Sequence, residues 1–145
     1  SAGSDCAVPV PQGVMTAVET EYPDSTEISQ MDYFSRFPAP GGDVELSVFR
    51  ISYPVRMQSD TLDQFWQSTI EATFVNPEEL VYSSNSSYLE YPGYLWRVDP
   101  VLKDTREDYN AILVDDTLYI LRTVIPSRAR NLLKVRDRFF ESFTL

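Results

Sequence analysis

The basic residues of this sequence concentrate near its C-terminal end, and their spacing suggests a binding surface. Residues 122–145 hold six of the twelve Lys and Arg residues but only two of the twenty-two Asp and Glu residues. At helical spacing, Arg130, Lys134 and Arg138 share the outer face of a C-terminal helix. Such a face is solvated, pairs with acids elsewhere in the fold, or docks an acidic partner surface. We therefore include these three residues among the candidate partner-binding residues.

Arg136 interrupts the apolar stripe of the same helix. On a helical wheel it falls at the middle of an arc formed by Leu132, Phe139, Phe140 and Phe143. In one interpretation, its stem packs on the sheet while its guanidinium reaches water or a sheet carboxylate. In the other, it is a buried anchor for an anionic ligand between helix and sheet. Arg136 is therefore the fourth basic candidate for partner binding.

An aromatic-rich segment supplies the second group of candidates, which comprises Tyr88, Tyr91, Tyr94 and Trp96. Packing in the core is one interpretation of these residues. The alternative is a sheet face left open for a peptide or an apolar ligand, because aromatic side chains dominate binding surfaces. An open cleft would favour a small ligand, whereas a flat patch, or a symmetric dimer that buries one, would favour a protein partner.

Motifs for catalysis and metal binding are scarce. The chain has no histidine, which excludes Ser-His-Asp and Cys-His catalysis and any His-ligated zinc site. The acids of "DTRED", residues 104–108, offer oxygen ligands for calcium, but they match no EF-hand pattern. Adjacent acids at 78–79 and 115–116 do not converge as the carboxylate pair of a glycosidase must. We therefore expect no enzyme, no resident metal and no cofactor.

The amino-acid composition limits the classes of protein to which this chain can belong. Hydrophobic residues make up 43% of the 145 residues and aromatic residues 13%, which is typical of one folded domain. The net charge of −10 argues against binding nucleic acid, which requires a basic face. No apolar run approaches the roughly 20 residues that a transmembrane helix needs.

The N-terminal residues carry little pattern. We interpret residues 1–13 as a leader and residues 14–145 as a single domain. Cys6 is the single cysteine, so an intrachain disulfide is excluded. An inert thiol is the first interpretation of Cys6, and lipidation or an intermolecular bridge are the alternatives.

Alternation and turn residues predict the strands. We expect strands within 14–23, 25–37 and 43–54, and "PAPGG" at 38–42 forms the turn of a hairpin. Residues 79–100 predict two strands around a polar middle, with a break or bulge at Pro92-Gly93. Residues 101–108 predict a charged loop or strand end. Residues 109–126 predict a second tight hairpin around Asp115-Asp116, and its nearly continuous apolar strands are expected to be central and covered on both faces.

Two helices complete the prediction. Residues 59–74 form one, capped by Ser59 or Asp60 and ended by Asn76-Pro77. The other begins after Ser127 and runs to the last residues. The expected fold is therefore α+β, a largely antiparallel sheet of about six to seven strands with two main helices packed on it.

Four segments in this order resemble the PsbP-like family. They are "PAPGGDVELSVFRISYP" at 38–54, "YPGYLWRVD" at 91–99, "YNAILVDDTLYILRTVIP" at 109–126 and "RDRFFESFTL" at 136–145. The resemblance covers residues 14–145 and implies a PsbP-like sandwich. That family includes extrinsic photosystem II subunits, a nuclear import factor and bacterial exported domains. No member's partner-binding residues carry over, because the matching residues are structural.

What the resemblance implies about function is binding rather than catalysis. We expect an exported, periplasmic or cell-envelope module that binds a protein partner, with a homo-oligomer as one form of that partnership. The alternative is an accessory domain that binds a small molecule or a metal. Fold alone does not decide between them.

Overall fold

Seven strands and two helices form in the part of the chain that this computed structural model describes, residues 16–21, 28–54 and 60–145, with only the backbone of 16–21. In chain order they are β1 (Thr16–Glu21), β2 (Ser29–Ala39), β3 (Gly42–Ser52), α1 (Leu62–Glu71), β4 (Leu80–Tyr88), β5 (Tyr91–Val98), β6 (Thr105–Val114), β7 (Thr117–Pro126) and α2 (Leu133–Glu141). The predicted leader and Cys6 lie outside the described residues.

All seven strands join one sheet in the order β1-β2-β3-β7-β6-β5-β4. Every neighbouring pair is antiparallel. The chain builds β1 to β3 as a meander, passes through α1, and builds β4 to β7 as a second meander that returns to pair with β3. This arrangement confirms the predicted α+β class with a largely antiparallel sheet.

The strand β7 lies at the centre of the sheet, as its nearly continuous apolar sequence predicts. Eight of its ten residues are buried, and five of these belong to two separate clusters of core residues, between which residues 118–121 alternate. A strand that is covered on both faces has no position at which a polar side chain reaches water freely. This burial confirms the prediction that the second hairpin is central and covered on both sides.

The helix α1 covers one face of the sheet. Its buried residues, Trp66 and Ile70, pack with apolar residues of β5, β6 and β7. Trp66 also contacts the ring of Tyr94 at 5.4 Å between centroids, and Phe65 contacts Tyr53 at 5.6 Å. The face of the sheet beneath α1 is called the α1 face below.

The helix α2 covers the opposite face, called the α2 face below. Phe139 is buried from α2, with Leu132 before it and Phe143 after it. They pack on apolar residues that alternate along β3 and β7, such as Leu46, Val48 and Leu121. Val44, Leu46 and Val48 alternate along β3 and all lie in the core cluster of the α2 face.

Both predicted hairpin turns are present. Ala39 pairs with Gly42 across Pro40-Gly41, and both glycines have positive φ, 105° at Gly41 and 134° at Gly42. Val114 pairs with Thr117 across Asp115-Asp116, where Asp115 has a φ of 57°. Aspartate tolerates this left-handed conformation better than most residues, so the two acids form a hairpin loop.

The predicted break at Pro92-Gly93 is wrong. Both residues lie inside β5, and the turn between β4 and β5 is at Leu89-Glu90, where Leu89 has a φ of 55°. The predicted polar middle, residues 83–87, is itself strand β4. An edge strand exposed on both faces needs no apolar alternation, which is why its sequence did not read as a strand.

The ends of the helices differ from their predictions. Thr61, rather than Asp60, precedes α1, and no side chain caps it; Ser59 lies outside the described residues. The helix ends at Glu71, while Asn76-Pro77 opens a short 3-10 helix, Pro77–Glu79. Before α2, residues Arg130–Leu132 form another 3-10 helix, so Ser127 does not cap it.

We predict that Gly93→Ala destabilises the fold by about 2 kcal/mol, because overpacking has costs of this size. A Cβ at Gly93 would lie 2.5 Å from the carbonyl oxygen of Ala111 and 2.8 Å from Oγ of Ser86. Urea unfolding measures the change. Asn85→Ala, on the neighbouring edge strand, is the matched control and should stay within about 0.5 kcal/mol of the parent. Equal stability of the two variants would contradict this prediction.

Candidate functional site

The four predicted aromatic residues do not form one surface. Tyr88 and Tyr91 pack against the core cluster of the α2 face, where the ring of Tyr88 meets Phe143 at 5.4 Å between centroids. Tyr94 and Trp96 pack on the α1 face. Tyr94 and Trp96 share one face of β5 while Tyr91 lies on the other, because successive strand residues point to opposite sides. The segment therefore contributes to both cores.

Trp96 is a core residue and cannot contact a partner directly, since its exposed fraction is 0%. Its ring stacks on that of Tyr109 with centroids 4.9 Å apart and an interplanar angle of 3°. Its indole Nε1 donates to the hydroxyl of Thr73 at 3.0 Å, which satisfies the one polar atom of the buried side chain. The structure thus excludes Trp96 from the candidate partner-contacting residues.

Tyr94 lines a groove between α1 and the edge strand β4. The groove has a volume of about 390 Å³. Apolar side chains from Trp66, Phe74 and Leu80 line it together with Tyr94, and Asp63 and Glu71 add two acids. Its size and lining are those of a shallow site for a small ligand.

The predicted outer face of the last helix is present as a solvent-exposed basic surface. Arg130, Lys134 and Arg138 are exposed, and none of them forms an ion pair with any residue that the structure describes. The interpretation that these three bases pair with acids elsewhere in the fold therefore does not hold among the described residues. Their charges remain accessible to a partner.

Arg136 pairs with a buried carboxylate of the sheet. Its Nη1 lies 3.3 Å from Asp108, which is 1% exposed on β6, and its Nη2 lies 2.8 Å from Asp137. Arg106 donates two further hydrogen bonds of 2.8 Å to Asp108. Burial acts to lower the pKa of Arg136, but the bonds to Asp137 and Asp108 outweigh it and raise that pKa. The structure therefore agrees with the first interpretation of Arg136, in which its guanidinium pairs with a carboxylate of the sheet.

A second buried ionic network lies on the α1 face. Tyr109 donates to Glu107 at 2.6 Å, and Arg122 donates to the Tyr109 hydroxyl at 3.1 Å and pairs with Glu107 at 3.3 Å. Burial raises the pKa of Tyr109 well above its ordinary value of 10.0. Tyr109 is therefore a neutral hydrogen-bond donor at physiological pH, and this network holds the charge of Glu107 in place.

The calcium interpretation of "DTRED" does not fit the geometry. Thr105 begins β6, so Glu107 and Asp108 are neighbouring strand residues that point to opposite faces of the sheet. Each pairs with arginine. Among the described residues there is also no group of three or more His, Cys, Asp or Glu side chains placed to hold a metal ion.

Glu79 joins two loops at one end of the molecule. Its Oε1 accepts hydrogen bonds from the backbone nitrogens of Val75 and Asn76, and its Oε2 accepts one from Val101, all at 2.9 Å. The backbone of Asp99 donates to its carbonyl at 2.9 Å. The hydrogen bonds from Asn76, Val101 and Val75 lower the pKa of Glu79 from its ordinary value of 4.5. One carboxylate thus fixes both loops.

Four exposed apolar side chains adjoin this carboxylate and form what we call the apolar tip: Val75, Val81, Val101 and Leu102. Val75 is 90% exposed and Leu102 is 97% exposed. Val75 and Val101 donate to Glu79 directly, Leu102 follows Val101, and Val81 lies at a β-bulge two residues after Glu79. Large apolar side chains that are exposed to solvent, on a backbone fixed by hydrogen bonds, are typical of a docking surface.

The apolar tip is not among the predicted binding surfaces, although the sequence holds a signal for it. Val75 and the pair Val101-Leu102 are large apolar residues in proline-flanked segments, "FVNP" and "DPVLK", outside any periodic pattern. Their connection through Glu79 spans 22 residues of sequence, which no local pattern reveals.

In the described part of the chain, neither helix is long and apolar enough to cross a membrane. No protein-family model matches the sequence, and no curated protein matches it significantly.

We predict that Asp108→Asn destabilises the protein by about 3 kcal/mol or more, because removing one partner leaves buried charge unpaired. Arg136→Met should cost only about 1 kcal/mol, since Asp108 keeps both hydrogen bonds from Arg106 and the methionine packs like the arginine stem. Urea unfolding of the two variants measures the loss in free energy of unfolding that each change causes. Equal losses would show that Arg136 is the essential partner of Asp108.

We predict that Glu79→Gln lowers the melting temperature at neutral pH, since an amide offers one acceptor oxygen where the carboxylate offers two. A folded-state pKa below the ordinary value means that the carboxylate stabilises the fold above pH 4.5. The difference between parent and variant should therefore shrink as the pH falls below 4.5. Differential scanning calorimetry across this range measures it.

Glu78→Gln is the matched control for this change, because Glu78 is an exposed neighbour of the same charge. We expect its melting temperature to follow the parent at every pH. A Glu79→Gln deficit that stays constant down to pH 3 would contradict the assignment of the stabilisation to the ionised carboxylate.

Proposed function

We propose that this chain is a non-enzymatic binding module that docks a partner protein through the apolar tip. The observation that carries the proposal is the exposure of Val75, Val101 and Leu102 on loops that the Glu79 carboxylate fixes. A surface whose backbone is already ordered loses little conformational entropy on binding, so its apolar contacts contribute more fully to affinity.

The edge strand β4 extends this surface. It ends the strand order of the sheet at the side away from β1, and Val81 and Tyr82 near its start are exposed. An open sheet edge beside an apolar patch suits a partner that adds an extended segment to the sheet. We infer that the partner contacts the tip and the first residues of β4 together.

The basic surface of Arg130, Lys134 and Arg138 is the other protein-docking candidate. Its charges are exposed, but the long side chains that carry them form no ion pair with a described residue and would have to be ordered on binding. We rank it second for that reason. Binding through this surface would weaken strongly with salt, whereas binding through the apolar tip would not.

An exported, periplasmic or cell-envelope setting is part of the proposal. It rests on the resemblance to the PsbP-like family, whose bacterial members include exported domains. The acidic net charge of −10 is compatible with a protein partner and unfavourable for nucleic acid.

The groove between α1 and β4 favours a second candidate function, the binding of a small apolar molecule. Trp66, Phe74 and Tyr94 line about 390 Å³ beside the edge strand. A small-molecule accessory domain would use this groove and would not need the apolar tip.

We predict that Leu102→Ser abolishes capture of the partner while leaving the fold intact, because Leu102 is 97% exposed and contributes little to the core. The purified domain, immobilised as bait, is incubated with extract of its native source at low and at high salt. Quantitative mass spectrometry then compares the proteins retained by the parent and by the variant. The partner should stay bound at high salt.

Leu89→Ser is the matched control. Leu89 is also a highly exposed leucine, 77% exposed, but it lies at the far end of β4 from the tip. Capture by this variant should equal that of the parent. If Leu89→Ser also abolished capture, the retained protein would be binding non-specifically to exposed leucines. If high salt released the partner, the basic surface rather than the apolar tip would be the docking site. Recovery of no partner in either salt would favour the small-ligand function.

A further inference from the structure

Three arginines from different parts of the chain meet at a cleft next to the start of α2. Arg97 comes from β5, Arg106 from the beginning of β6, and Arg130 from the 3-10 helix before α2. The cleft has a volume of about 320 Å³, and we call it the arginine cleft. It does not include the residues of the apolar tip.

Two of the three guanidinium groups are held in place by carboxylates. Arg97 donates through Nε and Nη2 to Asp99 at 2.8 and 2.9 Å. Arg106 donates in the same way to Asp108, with both bonds at 2.8 Å. In each case the Nη1 group makes no hydrogen bond to a described residue. Each arginine therefore keeps donors for a further acceptor in a geometry that is already fixed.

The charges of the cleft do not cancel. Asp108 is shared between Arg106 and Arg136, and Arg136 also pairs with Asp137. With Arg97, its partner Asp99 and Arg130 included, three carboxylates face four guanidinium groups. Arg130 forms no ion pair within the described residues. This excess of positive charge occurs in a chain whose net charge is −10, where it would attract a small anion.

The remaining lining also suits an anion. Ser127 contributes a hydroxyl, and Ile125 and Leu133 add apolar side chains to the lining of the cleft. Leu133 begins α2, whose first turn has no acidic residue to offset the positive end of the helix dipole. Hydrogen bonds to an anion are strengthened where water is partly excluded.

We propose that the arginine cleft binds a small molecule through a phosphate or carboxylate group. Both groups present a pair of acceptor oxygens at the spacing that two donors of one guanidinium group recognise. The site is independent of the apolar tip, so it stands or fails separately from the proposed partner docking.

The test uses isothermal titration calorimetry of the full chain with inorganic phosphate and with citrate, each at constant ionic strength set by sodium chloride. We expect saturable binding of at least one of them. Arg130→Gln should weaken it about tenfold, the effect of losing one hydrogen bond to a charged group. Arg130 is exposed and forms no ion pair with a described residue, so we expect this variant to keep the fold.

Arg138→Gln removes the same charge from the same basic surface but outside the cleft, and we expect its affinity to stay within about twofold of the parent. Binding of phosphate alone would identify a phosphate site, and binding of citrate alone a carboxylate site. The proposal is overturned if neither anion binds saturably, or if Arg130→Gln and Arg138→Gln weaken binding equally.

Discussion

The pairing of β3 with β7 is the contact on which the rest of this structure depends. It joins the first meander, β1 to β3, to the second, β4 to β7, and places β7 at the centre of the sheet. Glu45 pairs with Val124 and Ser52 with Thr117 at the two ends of this ladder. Contacts so distant in sequence carry a cost of loop closure, which the burial of apolar residues on both faces of β7 must offset. Both helices pack on the sheet that this pairing completes.

The central strands also place charges inside the protein. Glu107 and Asp108 are consecutive residues of β6, so they enter opposite faces of the sheet. Arg122 and Tyr109 meet Glu107 on the α1 face, and Arg106 and Arg136 meet Asp108 on the α2 face. Each carboxylate is nearly inaccessible to water and would be costly without these donors. Arginines therefore gather around the sheet, and some of them retain unused donors.

The two proposed binding surfaces meet at the end of β5. The carboxylate of Asp99 holds Arg97 at the arginine cleft, and its backbone nitrogen donates to the carbonyl of Glu79. Glu79 in turn fixes the loops of the apolar tip. Hydrogen bonds through Asp99 and Glu79 therefore hold residues of both surfaces in place. Such preorganisation lowers the entropic cost of binding at either surface.

The sequence by itself determined the order of strands and helices, because alternation, apolar runs and turn residues act over a few neighbouring positions. "PAPGG" and Asp115-Asp116 place two hairpins, and the stripe around Arg136 identifies a helix with one unusual residue. It did not show that the polar residues 83–87 belong to β4, since an exposed edge strand needs no apolar face. Nor did it show that strand alternation sends Tyr91 and Trp96 to opposite cores, because the break expected at Pro92-Gly93 concealed the continuity of β5.

Only the tertiary structure decided which side chains meet. Arg136 reaches Asp108 across 28 positions, Val101 reaches Glu79 across 22, and the three arginines of the cleft come from three elements. Such contacts depend on the crossing of α2 over the sheet and on the return of β7 to β3. A local sequence pattern records the conformation of a segment, but it does not record which distant segment packs against it.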